Sequence, residues 1–208
     1  MFDNVNNHSQ KRNLREVDWR MKVLVLFGTR PEVIKLAPVI HELRKRFFQT
    51  IVVSSSQHKQ LLRPFLETLE VDIDFDLGVM RRNQSPTEVC SRILAKLDKV
   101  LESERPDLIL VQGDTTTTLA GALAGFYRRI PVGHVEAGLR SGNLMSPYPE
   151  EMNRRVISQI ATFHFAATEK NRSNLLAEDV PSDRIFVTGN PVVDSLRGML
   201  KKISPSPK

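Results

Sequence analysis

Three acidic side chains occupy positions from which a folded chain could move protons. They are Asp114 in Val111-Gln112-Gly113-Asp114-Thr115-Thr116-Thr117-Thr118, Glu136 in His134-Val135-Glu136-Ala137-Gly138-Leu139-Arg140, and Glu150 in Tyr148-Pro149-Glu150-Glu151. Asp114 and Glu136 each follow an apolar run that reads as a buried parallel strand. In an open α/β sheet, residues just past the carboxyl ends of strands face the ligand crevice. Carboxylates gathered there can exchange protons with a bound substrate. Each residue also has an ordinary reading. An Asp before a helix commonly caps it, a glutamate at a strand end pairs with a loop cation, and acidic residues in a first helical turn offset the dipole. Arg154 and Arg155 lie four residues beyond Glu150 and Glu151, a spacing that suits pairing on the helix surface.

Other motifs are weaker alone. Phe27-Gly28-Thr29-Arg30-Pro31-Glu32 is a strand-to-helix turn, where glycine lets the backbone approach a ligand and the helix start attracts anions. Arg30 could clamp a phosphate, or stand as an ordinary exposed arginine. The threonines after Asp114 make a poor helix start on propensity, yet offer hydroxyls and free N–H groups to a ligand. Alternation along a strand puts His134 and Glu136 on one side. No further His or Cys lies at useful spacing for a metal site there. Gly189-Asn190-Pro191 reads as a helix cap followed by a proline start.

The elements that must hold these residues alternate between strand and helix. Residues 22–27, 50–54, 106–111, 131–135, 162–167 and 184–188 read as strands. Residues 31–47, 58–69, 115–128, 149–160 and 169–178 read as helices, with another from Ser85 and a last one from Pro191. Ser85-Pro86-Thr87-Glu88 is a capping box with proline in the first turn. Pro38 must kink the first helix or mark its true start. Repeated βα units with buried strands predict an α/β fold, a doubly wound parallel sheet. Residues 1–20 read as a disordered lead, 21–202 as the folded domain, and 203–208 as a linker.

The chain has 208 residues, 40% of them hydrophobic, enough for one sizeable core. Its net charge is +6, but its basic pairs are scattered among 24 acidic residues, so no nucleic-acid stripe is expected. Aromatics at 6% are too scarce for base-stacking platforms. The single cysteine, Cys90, excludes an internal disulfide and sits at core spacing with Val89, Ile93 and Leu97. No apolar run approaches a membrane span, and the first twenty residues lack a signal-peptide core, so a cytoplasmic protein is expected.

Taken together, residues 23–32, 57–58, 113–118, 131–140, 147–154 and 185–190 resemble the bacterial non-hydrolysing UDP-N-acetylglucosamine 2-epimerases, and the resemblance runs from Met21 to about Leu200. It implies a Rossmann-like domain, one half of a glycosyltransferase-B-like pair with substrate in the cleft between. It implies interconversion of UDP-N-acetylglucosamine and UDP-N-acetylmannosamine for surface polysaccharides, without nicotinamide or metal cofactor, usually in a homodimer. Carried over by motif, the catalytic carboxylates fall on Asp114, Glu136 and Glu150, and substrate contacts on Gly28, Arg30, Thr115, Arg140 and Asn190. Gln57, Gln60 and Gln84 fall in a region where a second substrate molecule acts as activator. Position 112 is Gln where His is common, and position 191 is Pro where Thr is common. The family's second domain, with most of its uridine and diphosphate contacts, has no match here, so the chain looks like an N-terminal half with little turnover alone. A hydrolysing epimerase, a glycosyltransferase and a non-catalytic regulatory half are the competing readings.

Overall fold

The computed structural model describes residues 20–56 and 59–203. The expected lead and linker lie almost wholly outside these residues. The described strands are β1 (Lys22–Phe27), β2 (Gln49–Ser54), β3 (Phe75–Asp76), β4 (Leu108–Gln112), β5 (Val132–Ala137), β6 (Phe163–Ala166) and β7 (Ile185–Val187). The described helices are α1 (Arg30–Lys45), α2 (Lys59–Leu69), α3 (Pro86–Glu104), α4 (Thr116–Tyr127), α5 (Glu150–Ile160), α6 (Glu169–Leu176) and α7 (Val192–Ile203). All strand pairs are parallel, in the order β3-β2-β1-β4-β5-β6-β7. The order reverses between β1 and β4, which opens a crevice at their carboxyl ends.

Strand side chains alternate between two cores. Leu24, Leu26, Ile109, Val111 and Val132 pack with Ile93 and Leu97 of α3, Ala120 and Ala124 of α4, and Ile157 of α5. Val23, Val25, Phe27, Leu110 and Val135 pack with Val33, Leu36 and Ile40 of α1 and Leu62 of α2. Helices therefore cover both faces, which is why the strands are apolar throughout. The Ser85–Glu88 capping box forms as expected, Ser85 N–H donating to Glu88 Oε2 at 2.7 Å.

Three details differ from expectation. Helix α1 runs from Arg30 through Pro38 to Lys45, so Pro38 does not mark its start. Proline removes the N–H that would reach the Ile34 carbonyl. The Ser195 hydroxyl of α7 donates to that carbonyl instead, so the helix keeps its partner and gains a staple to α7. Strand β3 was not expected, because two residues carry no readable period. The pairing of β5 with β6 shifts register between Val135 and Ala137, and Glu136 there has φ 66°. This bulge interrupts the regular pairing of β5 at Glu136.

Gly138, directly after the bulge, has φ 83°, and a Cβ built on it would stand 2.2 Å from the Asn171 backbone oxygen of α6. Gly138→Ala combines a left-handed backbone with a clash against main chain, and is expected to cost roughly 2–5 kcal/mol. The urea midpoint measures it.

His134 and His164 are partners across β5 and β6, and both are buried. His134 Nε2 donates to the Gly113 carbonyl at 2.7 Å, which sets its tautomer. Burial pushes the His134 pKa down to about 3 and that of His164 down to about 4, with nearby arginines adding to both. Above pH 6.5 both rings are neutral in folded and unfolded chains, and the folded state keeps its full stability. As pH falls, the unfolded chain takes up protons that the folded chain refuses. Stability is therefore expected to decline from pH 6.5 to about 4 for His164, and on to about 3 for His134. Urea melts across this range should show the decline, and His164→Phe should flatten its upper part.

Candidate active site

The crevice end of the sheet brings the three carboxylates together. Asp114 follows β4 through Gly113, whose φ of 76° turns the chain over the strand ends. A Cβ built on Gly113 would stand 3.8 Å from Glu136 Oε2, so the Glu136 carboxylate lies against the Asp114 turn. Helix α5 closes the third side. Asn153 Nδ2 donates to the Asp114 carbonyl at 2.8 Å, and Arg154 Nη2 pairs with Asp114 Oδ2 at 3.3 Å. Glu150, one turn earlier on α5, lines a hollow of about 530 Å3 with Thr29, Thr115 and Gln84.

The environments differ. Burial pushes the Asp114 carboxyl above its usual range. Arg154 and Lys35 oppose the shift, while the Glu150 and Glu136 charges add to it. Glu136 is held from three sides: Lys35 Nζ of α1 at 2.6 Å, Gln112 Nε2 at 2.5 Å and Asn190 Nδ2 at 2.7 Å. For the Glu150 carboxylate, no ion pair is found among the described residues. The neighbouring Glu151 is the structural member of the pair. It is buried, accepts the Ser141 N–H at 3.0 Å, and pairs with Arg155 at 3.0 Å and Arg154 at 3.3 Å. The expected Arg155–Glu151 pair forms, but Arg154 turns to Asp114 and Glu151 rather than to the Glu150 carboxylate.

Several expected ligand contacts are committed within the chain. Gly28 makes a close approach, but to protein: its added Cβ would lie 2.2 Å from Ser55 Oγ and 2.4 Å from Thr117 Oγ1. The Gly28 and Thr29 amides donate to Glu32 rather than facing an open anion site. Thr115, not Asp114, caps α4, accepting the Thr118 N–H at 3.2 Å and donating to Glu32 Oε1 at 2.7 Å. Arg140 grips Glu178 through two bonds, at 2.7 and 2.6 Å, and also donates to Ser158 and the Leu139 carbonyl. That places Arg140 in a loop-to-helix anchor, where its hydrogen bonds hold the Glu178 carboxyl below the usual range. Asn190 caps α7, accepting the Val192 N–H at 3.1 Å while it orients Glu136. Arg30 is exposed, with its guanidinium 5.5 Å from the centre of the Phe65 ring.

Gln84 shares the hollow with Glu150 but already accepts from the Arg81 amide at 2.9 Å and Arg92 at 2.6 Å. Gln57 lies outside the described residues, and nothing of the Gln60 side chain is described. Two charged residues join the site that the motifs had not singled out for it, Lys35 and Arg154. Lys35 sits one helical turn past the β1–α1 loop, a position that only an assembled sheet brings to β5.

Comparison with known proteins shows the family. The family model described as UDP-N-acetylglucosamine 2-epimerase matches residues 41–208. A Yersinia pestis UDP-N-acetylglucosamine 2-epimerase is 53% identical over 188 residues, covering 90% of this chain and 50% of that protein. The Escherichia coli K12 enzyme of the same name is 50% identical over 189 residues, again 90% of this chain and 50% of the relative. The Neisseria meningitidis epimerase, solved bound to UDP-GlcNAc, superposes with a TM-score of 0.86 at 52% identity, over 88% of this chain and 50% of that one. Acinetobacter baumannii MurG shares only the fold, with a TM-score of 0.58 at 16% identity. The chain thus spans about half the length of the curated relatives it matches. With a Rossmann-like sheet of the glycosyltransferase-B kind and a matching model over most of its length, this chain belongs to the UDP-N-acetylglucosamine 2-epimerase family.

Proposed function

We propose that this chain is the N-terminal half of a catalyst that interconverts UDP-N-acetylglucosamine and UDP-N-acetylmannosamine. The observation that carries the reading is the meeting of Asp114, Glu136 and Glu150 at the crevice, with Asp114 feeling both other charges. The hydrogen at C2 of an acetamido sugar is poorly acidic, since no carbonyl adjoins that carbon. Breaking the C1–O bond to UDP first creates a cation-like centre at C1, and the neighbouring hydrogen becomes acidic. A carboxylate takes that proton, leaving UDP and a 2-acetamidoglucal. Delivery of a proton to the opposite face of C2, with UDP re-adding at C1, gives the epimer.

The three acids suit this sequence because it needs proton carriers on two faces of one ring. Glu136 is oriented by three donors, whereas Asp114 has a raised affinity for its proton. The leaving diphosphate also needs positive partners. Here Lys35 and Arg154 are engaged with carboxylates, and the Gly28 and Thr29 amides with Glu32. Much of the diphosphate binding therefore falls to the half of the relatives that this chain does not match. A homodimer and a cytoplasmic setting, where nucleotide sugars are made, accompany this reading.

The 208-residue chain alone is expected to show little or no conversion of UDP-N-acetylglucosamine, followed by proton NMR in D2O through deuterium entry at C2. Robust turnover would refute the half-enzyme reading. Joined to the C-terminal half of the Neisseria meningitidis relative, it is expected to gain activity. Asp114→Asn, Glu136→Gln and Glu150→Gln should then each lower kcat by about 10²–10⁴-fold. Near-normal rates in all three variants would remove the mechanism.

A further inference from the structure

The first turn of a dinucleotide-binding sheet commonly cradles phosphate with its backbone amides. Here the corresponding turn is already filled. Glu32 Oε2 accepts the Gly28 N–H at 2.9 Å and the Thr29 N–H at 2.7 Å. Its other oxygen, Oε1, accepts the Thr115 hydroxyl at 2.7 Å. The Thr118 hydroxyl lies 3.1 Å from Oε1 and 2.7 Å from the Gln112 carbonyl, so its one hydrogen is shared between them. The side chain is 2% exposed.

A capping box explains only half of this arrangement. Glu88 of α3 makes the same local bonds to Ser85, yet it stands exposed and, among the described residues, reaches no other element. Glu32 instead crosses the crevice and fastens the β1–α1 turn to the start of α4, 83 residues away in sequence. The residue it fastens, Thr115, immediately follows Asp114, and Lys35 lies one turn beyond Glu32 on α1.

We infer that Glu32 is a built-in anion: a positioning residue that occupies the phosphate place of the first turn and fixes the Asp114 turn against α1. Two consequences follow from the geometry. The β1–α1 amides are closed to a ligand's phosphates, so the diphosphate is held elsewhere. The spacing between Lys35 and Asp114 is set by a carboxylate that never touches substrate. That these turns carry catalytic groups rests on the epimerase reading. The contacts themselves do not, so the test uses no substrate.

The test compares the wild-type chain with Glu32→Ala and Glu32→Gln. Glu32→Ala is expected to melt about 5–10 °C lower, having stranded two amides and a hydroxyl. Sodium formate, which returns a carboxylate to the vacated space, should recover at least half of that loss. Sodium chloride at equal ionic strength should not, and the wild type should respond equally to both salts. Amide exchange over residues 113–118 should quicken in Glu32→Ala and slow again with formate, which a merely local capping role would not produce. Should Glu32→Ala fail to fold, Glu32→Gln keeps the shape without the charge, and its Gly28 and Thr29 amide proton resonances should move upfield. Inorganic phosphate in excess should leave those two resonances unmoved in the wild type. The inference is overturned if formate acts no better than chloride, if the Glu32→Gln resonances stay at wild-type positions, or if phosphate shifts them in the wild type.

Discussion

The grip on the Glu136 carboxylate organises this end of the sheet. Its donors come from α1, from β4 and from the loop before α7, elements that share no local sequence. A single carboxylate with several charge-assisted partners is far more constrained than an exposed ion pair. The bulge in β5 is what allows the grip. With φ 66° at Glu136, the strand departs from regular pairing where its side chain must leave the pleat for the crevice. Gly113 and Gly138, both at positive φ, turn the chain on either side of that feature.

Around this hub the charges sort into two kinds. Some carboxylates are saturated by the fold: Glu151 by Ser141 and two arginines, Glu178 by Arg140, Glu32 by amides and hydroxyls. Others keep chemical freedom. Asp114 is lifted toward protonation by burial, and Glu150 stands over the hollow. Adjacent glutamates on one helix thus take opposite parts, Glu151 bonded inward and Glu150 lining the hollow beside Thr115 and Gln84. Such separation of environments is how a site keeps like residues available for unlike tasks.

The fold was legible because its period is strong. Apolar strands and amphipathic helices announce themselves within about ten residues, and turn chemistry such as the Ser85–Glu88 box marks their starts. The two-residue β3 lacked any such run, and the partner for the Ile34 carbonyl lies 161 residues away. The approach of Asp114 and Glu136 was legible for a related reason, since strand ends in a parallel sheet share one rim. What each polar residue does there was not. Arg140 and Thr115 are bonded to Glu178 and Glu32, 38 and 83 positions distant, and no local motif announces either partner. Short motifs name the residues that reach the rim, but partners from remote segments decide which remain open to a ligand.

Two of the contacts around helix α7 differ in character. Ser195 plugs the carbonyl that Pro38 leaves bare, and Asn190, at the helix start, holds one oxygen of Glu136. The first contact seats the helix on α1, and the second ties its start to the site. Through Asn190, the orientation of Glu136 depends on how the start of α7 is seated against α1.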